Sequence, residues 1–139
     1  MAATSYRLSD DLKRRLAERA ARDGVTETAL VTRLLDEGMK TAGFPGIIYR
    51  DGASGRRAGL AAGADVWEVI LAVRSAPGKG EAKIADAAEQ LGVSSRLVRL
   101  AVDFATENPD EIEHSIALND AAAERVRKMV EARERMLAS

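Results

Sequence analysis

The chain has 139 residues, of which 46% are apolar and 31% charged, with a formal net charge of −1. That length suits one ordinary domain, or two very small ones that lean on each other or on a partner. Cysteine is absent and His114 is the single histidine, which excludes a disulfide framework, thiolate zinc sites, Cys nucleophiles and multi-histidine metal centres, and leaves little for a Ser-His-Asp triad.

From the N-terminus, Thr4–Leu8 alternates, with Tyr6 and Leu8 on one face and Ser5 and Arg7 on the other, which is a strand period. Ser9 follows as a helix N-cap with Asp10 and Asp11 in the first turn, where a helix favours anions. Leu12, Leu16 and Ala20 form a helical stripe ending at Gly24, a natural C′ residue. Thr26 is a second N-cap, and Leu30, Val31, Leu34, Leu35 and Met39 give the next helix a broad apolar face. A lone strand leaves its backbone edges unpaired, and two short helices cannot bury that much leucine. Pairing two copies solves both problems, so a dimer is expected.

Thr41–Gly46 is a Gly/Pro break. Beyond it, Ile47–Arg50 reads as a strand, Asp51-Gly52-Ala53-Ser54-Gly55 as a turn, and Arg56–Leu60 as a return strand. Asp65 is placed to cap a helix carrying Val66, Trp67, Val69, Ile70, Leu71 and Val73, with Trp67 expected in the core. Ser75–Gly80 reads as a loop. Ile84–Arg99 then resembles a helix-turn-helix. In it, Ala88 and Gly92 permit close crossing, Leu91, Val93 and Val98 face inward, Ser94 caps the second helix, and Ser95, Arg96 and Arg99 face outward. Such geometry serves packing as often as DNA contact. Asn119–Ser139 reads as one amphipathic helix with Ala122, Val126, Met129, Val130, Met136 and Leu137 in a stripe interrupted by Arg133.

Tyr6-Arg7-Leu8-Ser9-Asp10-Asp11-Leu12 followed by Gly24-x-Thr26-x-Thr28-x-Leu30-Val31 resembles the ribbon-helix-helix (CopG/Arc/MetJ-like) family over residues 3–42. That resemblance implies an antiparallel β-ribbon, made by two copies, that enters the DNA major groove. Ala3, Ser5 and Arg7 would then meet base edges, with Arg7 matching the guanine O6 and N7 acceptors. It also implies a phosphate clamped by the first turn of the second helix near Thr26, Glu27 and Thr28; the charge of Glu27 runs against that role. Taken alone, Arg7 is also an ordinary solvated edge charge. One Arg per strand gives modest specificity per dimer, so neighbouring dimers or a second contacting region would be needed, and Arg96 and Arg99 are the candidates.

Gly46–Gly52, Arg56-Arg57-Ala58 and Asp65-Val66-Trp67-Glu68-Val69, with a closing Asp110-Glu111-Ile112, are similar to a small antitoxin-associated domain family often encoded beside PIN-domain ribonuclease toxins. The usual Gly-Thr-Arg of the return strand is replaced here by Gly59-Leu60-Ala61. The resemblance implies an antitoxin and transcriptional autorepressor. Its C-terminal helix would either pack on its own protein or lie in a toxin groove through Arg125, Val126, Met129 and Arg133, an arginine neutralising the carboxylates of a PIN-type active site.

The expected architecture is mainly α with a short β-ribbon and a hairpin: a ribbon-helix-helix domain (1–43), a hairpin plus helix-turn-helix-like domain (44–118) and a C-terminal amphipathic helix (119–139). The expected partners are operator double-stranded DNA, a second copy or more of this chain, and a PIN-type ribonuclease toxin. The alternatives are a stand-alone ribbon-helix-helix repressor whose second domain oligomerises or senses a ligand, and a structural interaction protein without a DNA role. Neither a phosphate loop nor Gly-x-Ser-x-Gly occurs, so no enzyme, cofactor or metal is expected. No apolar run approaches the ~18 residues of a membrane span, and the first residues lack a basic n-region and an apolar h-region, so a cytoplasmic location is expected.

Overall fold

The computed structural model describes residues 2–52 and 55–139. The chain divides between Gly43 and Phe44 into two compact units.

The first unit is a helix pair, α1 (Asp10–Asp23) and α2 (Glu27–Thr41). Ser9 caps α1 by accepting from Leu12 N–H at 3.2 Å, and Thr26 caps α2 by accepting from Ala29 N–H at 3.1 Å. Gly24 takes φ 67°, in the left-handed region. This lets Val25 N–H return to the Ala20 carbonyl at 3.0 Å and close the helix end. Asp23 accepts from Arg19 at 3.0 Å and Arg33 at 3.5 Å, tying α2 to the end of α1. The helix pair buries very little: Ala20 and Leu30 are its buried apolar residues. Leu34, Leu35 and Met39 remain exposed, Met39 to 73%.

The strand expected at Thr4–Leu8 is not formed: residues 2–9 carry no regular secondary structure. A strand needs a hydrogen-bonded neighbour, and no other strand occurs among the described residues of this unit.

The second unit opens with a hairpin, β1 (Ile47–Gly52) paired antiparallel with β2 (Gly55–Leu60). Its register sets Ile47 opposite Leu60, Tyr49 opposite Ala58 and Arg50 opposite Arg57. Both strands fall where the β-branched run and the turn residues place them; Ala53 and Ser54 of the expected turn lie outside the described residues. Four helices follow: α3 (Val66–Ser75), α4 (Glu81–Leu91), α5 (Ser95–Glu107) and α6 (Pro109–Ala138). Ile47, Ala58 and Leu60 of the hairpin join Val66 and Val69 of α3, Val98, Ala101 and Phe104 of α5, and Ile112 and Ile116 of α6 in one core. Phe104 sits at its centre, edge-on to Phe44 with ring centroids 5.3 Å apart. The Tyr49 hydroxyl donates to the Glu111 carboxylate at 2.7 Å, fastening β1 to α6. Lys83 Nζ donates to the carbonyls of Val73, Arg74 and Ala76, satisfying acceptors that the end of α3 leaves open.

Two further expectations are corrected. Gly92 does not permit a close helix crossing: a Cβ built on it meets nothing within 4 Å. Its role is conformational, because φ is 68° where α4 ends, a region that costs an L side chain about 1–2 kcal/mol. Trp67 packs against the core as expected, half-buried, with its indole N–H donating to the Asp65 carboxylate. The C-terminal helix does not begin at Asn119; α6 runs unbroken from Pro109, where proline suits the first turn. Its 30 residues span about 45 Å.

Candidate functional site

The residues expected to read DNA lie in different parts of the chain. Ala3, Ser5 and Arg7 are exposed within the irregular segment ahead of α1. Tyr6 is 80% exposed and Leu8 half-buried, so the alternation of faces has no sheet to express it in a single copy. Thr26 and Thr28 flank the start of α2, both exposed. The Thr26 hydroxyl is already used as an acceptor for Ala29 N–H, and the N–H groups of Glu27 and Thr28 precede the helix ladder.

In the second unit, α4 and α5 meet at Gly92 and Ser94 as the helix-turn-helix reading expects, and Ser94 accepts from Leu97 N–H at 3.3 Å. Val98 is buried, Leu91 and Val93 half-buried. Arg96 is exposed. Arg99 is exposed but engaged: its guanidinium donates to Glu81 at 2.6 and 3.1 Å. That hydrogen bond holds the Glu81 carboxyl below the usual carboxylate range and the Arg99 guanidinium above its ordinary value. Glu81 thus shares the outward face with Arg99, and an incoming phosphate would compete with it.

On α6, Val126, Met129 and Arg133 follow one another at helical spacing on one face, with Arg125 beside Val126. All four are exposed, Met129 to 66%. Met136 and Leu137 extend the same exposed face. Ile116 is the last buried residue of the helix.

The most connected charged group lies where the sequence reading saw only a helix cap. Among the described residues, Asp65 is the buried charged one, 3% exposed. Its Oδ1 accepts from Arg50 Nε at 3.0 Å and Nη2 at 2.8 Å, and its Oδ2 accepts from Trp67 Nε1 at 3.2 Å and faces Arg57 Nε. Arg50 goes on to the carbonyls of Leu60 at 3.0 Å and Gly63 at 2.7 Å. Two glycines make room. The Arg57 guanidinium occupies the place a Cβ on Gly52 would take, and the Arg50 guanidinium does the same at Gly59. The signal was present as a repeated Arg-x-Gly, Arg50-x-Gly52 and Arg57-x-Gly59. In a hairpin of this register each arginine reaches diagonally across the glycine of the other strand.

Beside this cluster the hairpin and α6 enclose a cleft of about 230 Å³ lined by Arg56, Arg57, Trp67, Glu111, His114, Ser115 and Asn119, among others. His114 is exposed at its rim. Among the described residues, no group of three or more His, Cys, Asp or Glu side chains is placed to hold a metal ion, and no helix is long and apolar enough to cross a membrane. Comparison with models of known protein families finds no match, and neither does comparison with curated proteins or with solved structures.

Proposed function

We propose that this chain is an antitoxin-type transcriptional autorepressor. It pairs with a second copy through residues 4–8 and the exposed face of α1 and α2, and presents Arg7 and Ser5 of each copy to operator DNA. The observation that carries this reading is the unfinished first unit. It has well-capped helices, yet Leu34, Leu35 and Met39 stay in water. Burying Leu34, Leu35 and Met39 against a second copy would gain about 1.5–3 kcal/mol for each side chain fully enclosed. The same docking would give residues 4–8 the hydrogen-bonded neighbour that a strand requires.

In this reading the exposed stripe of α6, with Arg125, Val126, Met129 and Arg133, lies in a groove of a ribonuclease toxin whose active-site carboxylates an arginine neutralises. Supporting it, α6 continues for some twenty residues past its last buried side chain while keeping an apolar face.

The deciding experiment is a mobility-shift titration with the chain's own upstream DNA, comparing wild type with Arg7→Ala at several salt concentrations. A loss of about 1–3 kcal/mol per base contact, with a shallower salt slope, supports the reading. Unchanged affinity and slope remove residues 3–7 from DNA.

A further inference from the structure

We propose that the cleft between the hairpin and α6 is a binding site for a small-molecule oxyanion, a phosphate- or carboxylate-bearing compound, held by Arg57. The two hairpin arginines are used unequally. Every nitrogen of Arg50 has an acceptor, through Asp65, Leu60 and Gly63. Arg57 faces Asp65 through Nε, and its two terminal nitrogens have no hydrogen bond among the described residues. Its guanidinium is nonetheless fixed, pinned by Asp65 on one side and resting over Gly52 on the other. A pre-positioned fork with its outer edge unused is the geometry that grips a carboxylate or phosphate through two parallel hydrogen bonds.

The charge points the same way. One carboxylate, Asp65, serves two guanidiniums, so the cluster of Arg50, Arg57 and Asp65 carries a net +1. The cleft wall itself sets Arg56 and Arg57 against one carboxylate, Glu111, which keeps its charge while accepting from the Tyr49 hydroxyl through both oxygens. Across the cleft from Arg57, α6 supplies the polar side chains of His114 and Asn119, while the Ser115 hydroxyl already donates to the Glu111 carbonyl. At about 230 Å³, the cleft is smaller than the ~300–1,000 Å³ of sites for drug-sized ligands, which selects a small anion over a polymer. This site is independent of the operator-binding reading, since none of its residues belongs to the first unit.

Trp67 is the only tryptophan of the chain and lines the cleft, so its fluorescence reports occupancy. The full chain is titrated separately with sodium phosphate and sodium succinate, ionic strength being held constant with sodium chloride. A saturable change with either anion is expected, the responding one identifying the oxyanion class. Arg57→Lys and Asn119→Ala are each expected to weaken it at least fivefold. Asn119→Ala removes one amide from a helix surface, so it keeps the test valid even if the lysine variant folds poorly. No saturable response to either anion overturns the proposal. So does a response that both variants leave unchanged, or one given by duplex DNA alone. An unaltered DNA mobility shift in a variant that has lost its anion response separates this site from the DNA reader.

Discussion

Arg50 and Arg57 stand directly opposite each other across the hairpin, and a single carboxylate, Asp65, lies against both. Like charges facing each other across two strands destabilise a hairpin. Here the pairing persists because the first residue after the β2–α3 loop returns a buried acid between them. Asp65 thereby links β1, β2 and the start of α3, and Glu68, three residues on, accepts from its backbone N–H at 3.2 Å. The helix cap and the charge cluster are the same residue.

Replacing that acid by its amide tests the arrangement. Asp65→Asn leaves two guanidiniums facing each other with one neutral acceptor. Breaking a buried pair costs about 3–5 kcal/mol; because both arginines are partly in water, about 2–3 kcal/mol is expected here. Arg57→Met should cost less, since Asp65 keeps both hydrogen bonds from Arg50 and that from Trp67. Urea unfolding of the two single variants and the double variant checks this. Strict additivity would show that the two residues do not interact.

Two glycines of the second unit should respond to alanine for opposite reasons. Gly92 has open space around it but a φ of 68°, so Gly92→Ala loses about 1 kcal/mol through backbone strain, and Gly92→Asn loses less because asparagine tolerates that region. Gly52 is not in the left-handed region, but a Cβ there meets the Arg57 guanidinium. Gly52→Ala should therefore push the Arg57 guanidinium off Asp65, with a stability loss at least as large as that of Gly92→Ala. Thermal melts in which Gly52→Ala is the milder of the two would contradict this account of both turns.

Much of the fold was legible because its signals are local. Ser9, Thr26 and Ser94 announce helix starts through their hydroxyls, Gly24 and Gly92 announce stops, and Ile47–Arg50 with the following turn residues announces the hairpin. What escaped depends on contacts distant in sequence. Asp65 looks like a cap until the hairpin register brings Arg50 and Arg57 beside it. Arg99 looks free until α4 sets Glu81 next to it. The start of α6 was misplaced by ten residues, because the polar run Asp110–Ser115 hides Ile112 and Ile116, which are four apart and both buried. The strand at residues 4–8 is a different case: alternation states which faces the side chains would take, and pairing requires a neighbour.

The surface ion pairs set a pH response. Glu113 is held below its ordinary value near 4.5 by hydrogen bonding to Arg74, and Glu81 likewise by Arg99. A carboxyl whose folded value is depressed adds stability that is fully present above its unfolded value and lost as pH falls through the folded one. Stability from these two pairs should therefore be level at neutral pH and decline below about pH 4.5. Glu113→Gln and Glu81→Gln should each flatten that decline in urea midpoints measured between neutral and acid pH. An unchanged acid limb in the double variant would show that these pairs contribute nothing to it.

The exposed face of the first unit makes its stability a matter of concentration. A unit that buries Ala20 and Leu30 alone has too little core to stand by itself, whereas the second unit has a core drawn from both strands and from all four of its helices. If folding of the first unit is completed by a second copy, mass action links the two. A roughly hundredfold dilution should then remove about 2.7 kcal/mol of apparent stability from that unit. Two thermal transitions are expected, the first moving down on dilution and the second fixed. Leu35→Ser removes an apolar side chain that is 54% exposed in the single copy, so in an isolated helix pair it should be nearly neutral. Across an interface it should lower the first transition strongly and raise the concentration at which the dimer dissociates in sedimentation. A first transition indifferent to both dilution and Leu35→Ser would mean that the helix pair is self-sufficient and that residues 4–8 have no second strand to pair with.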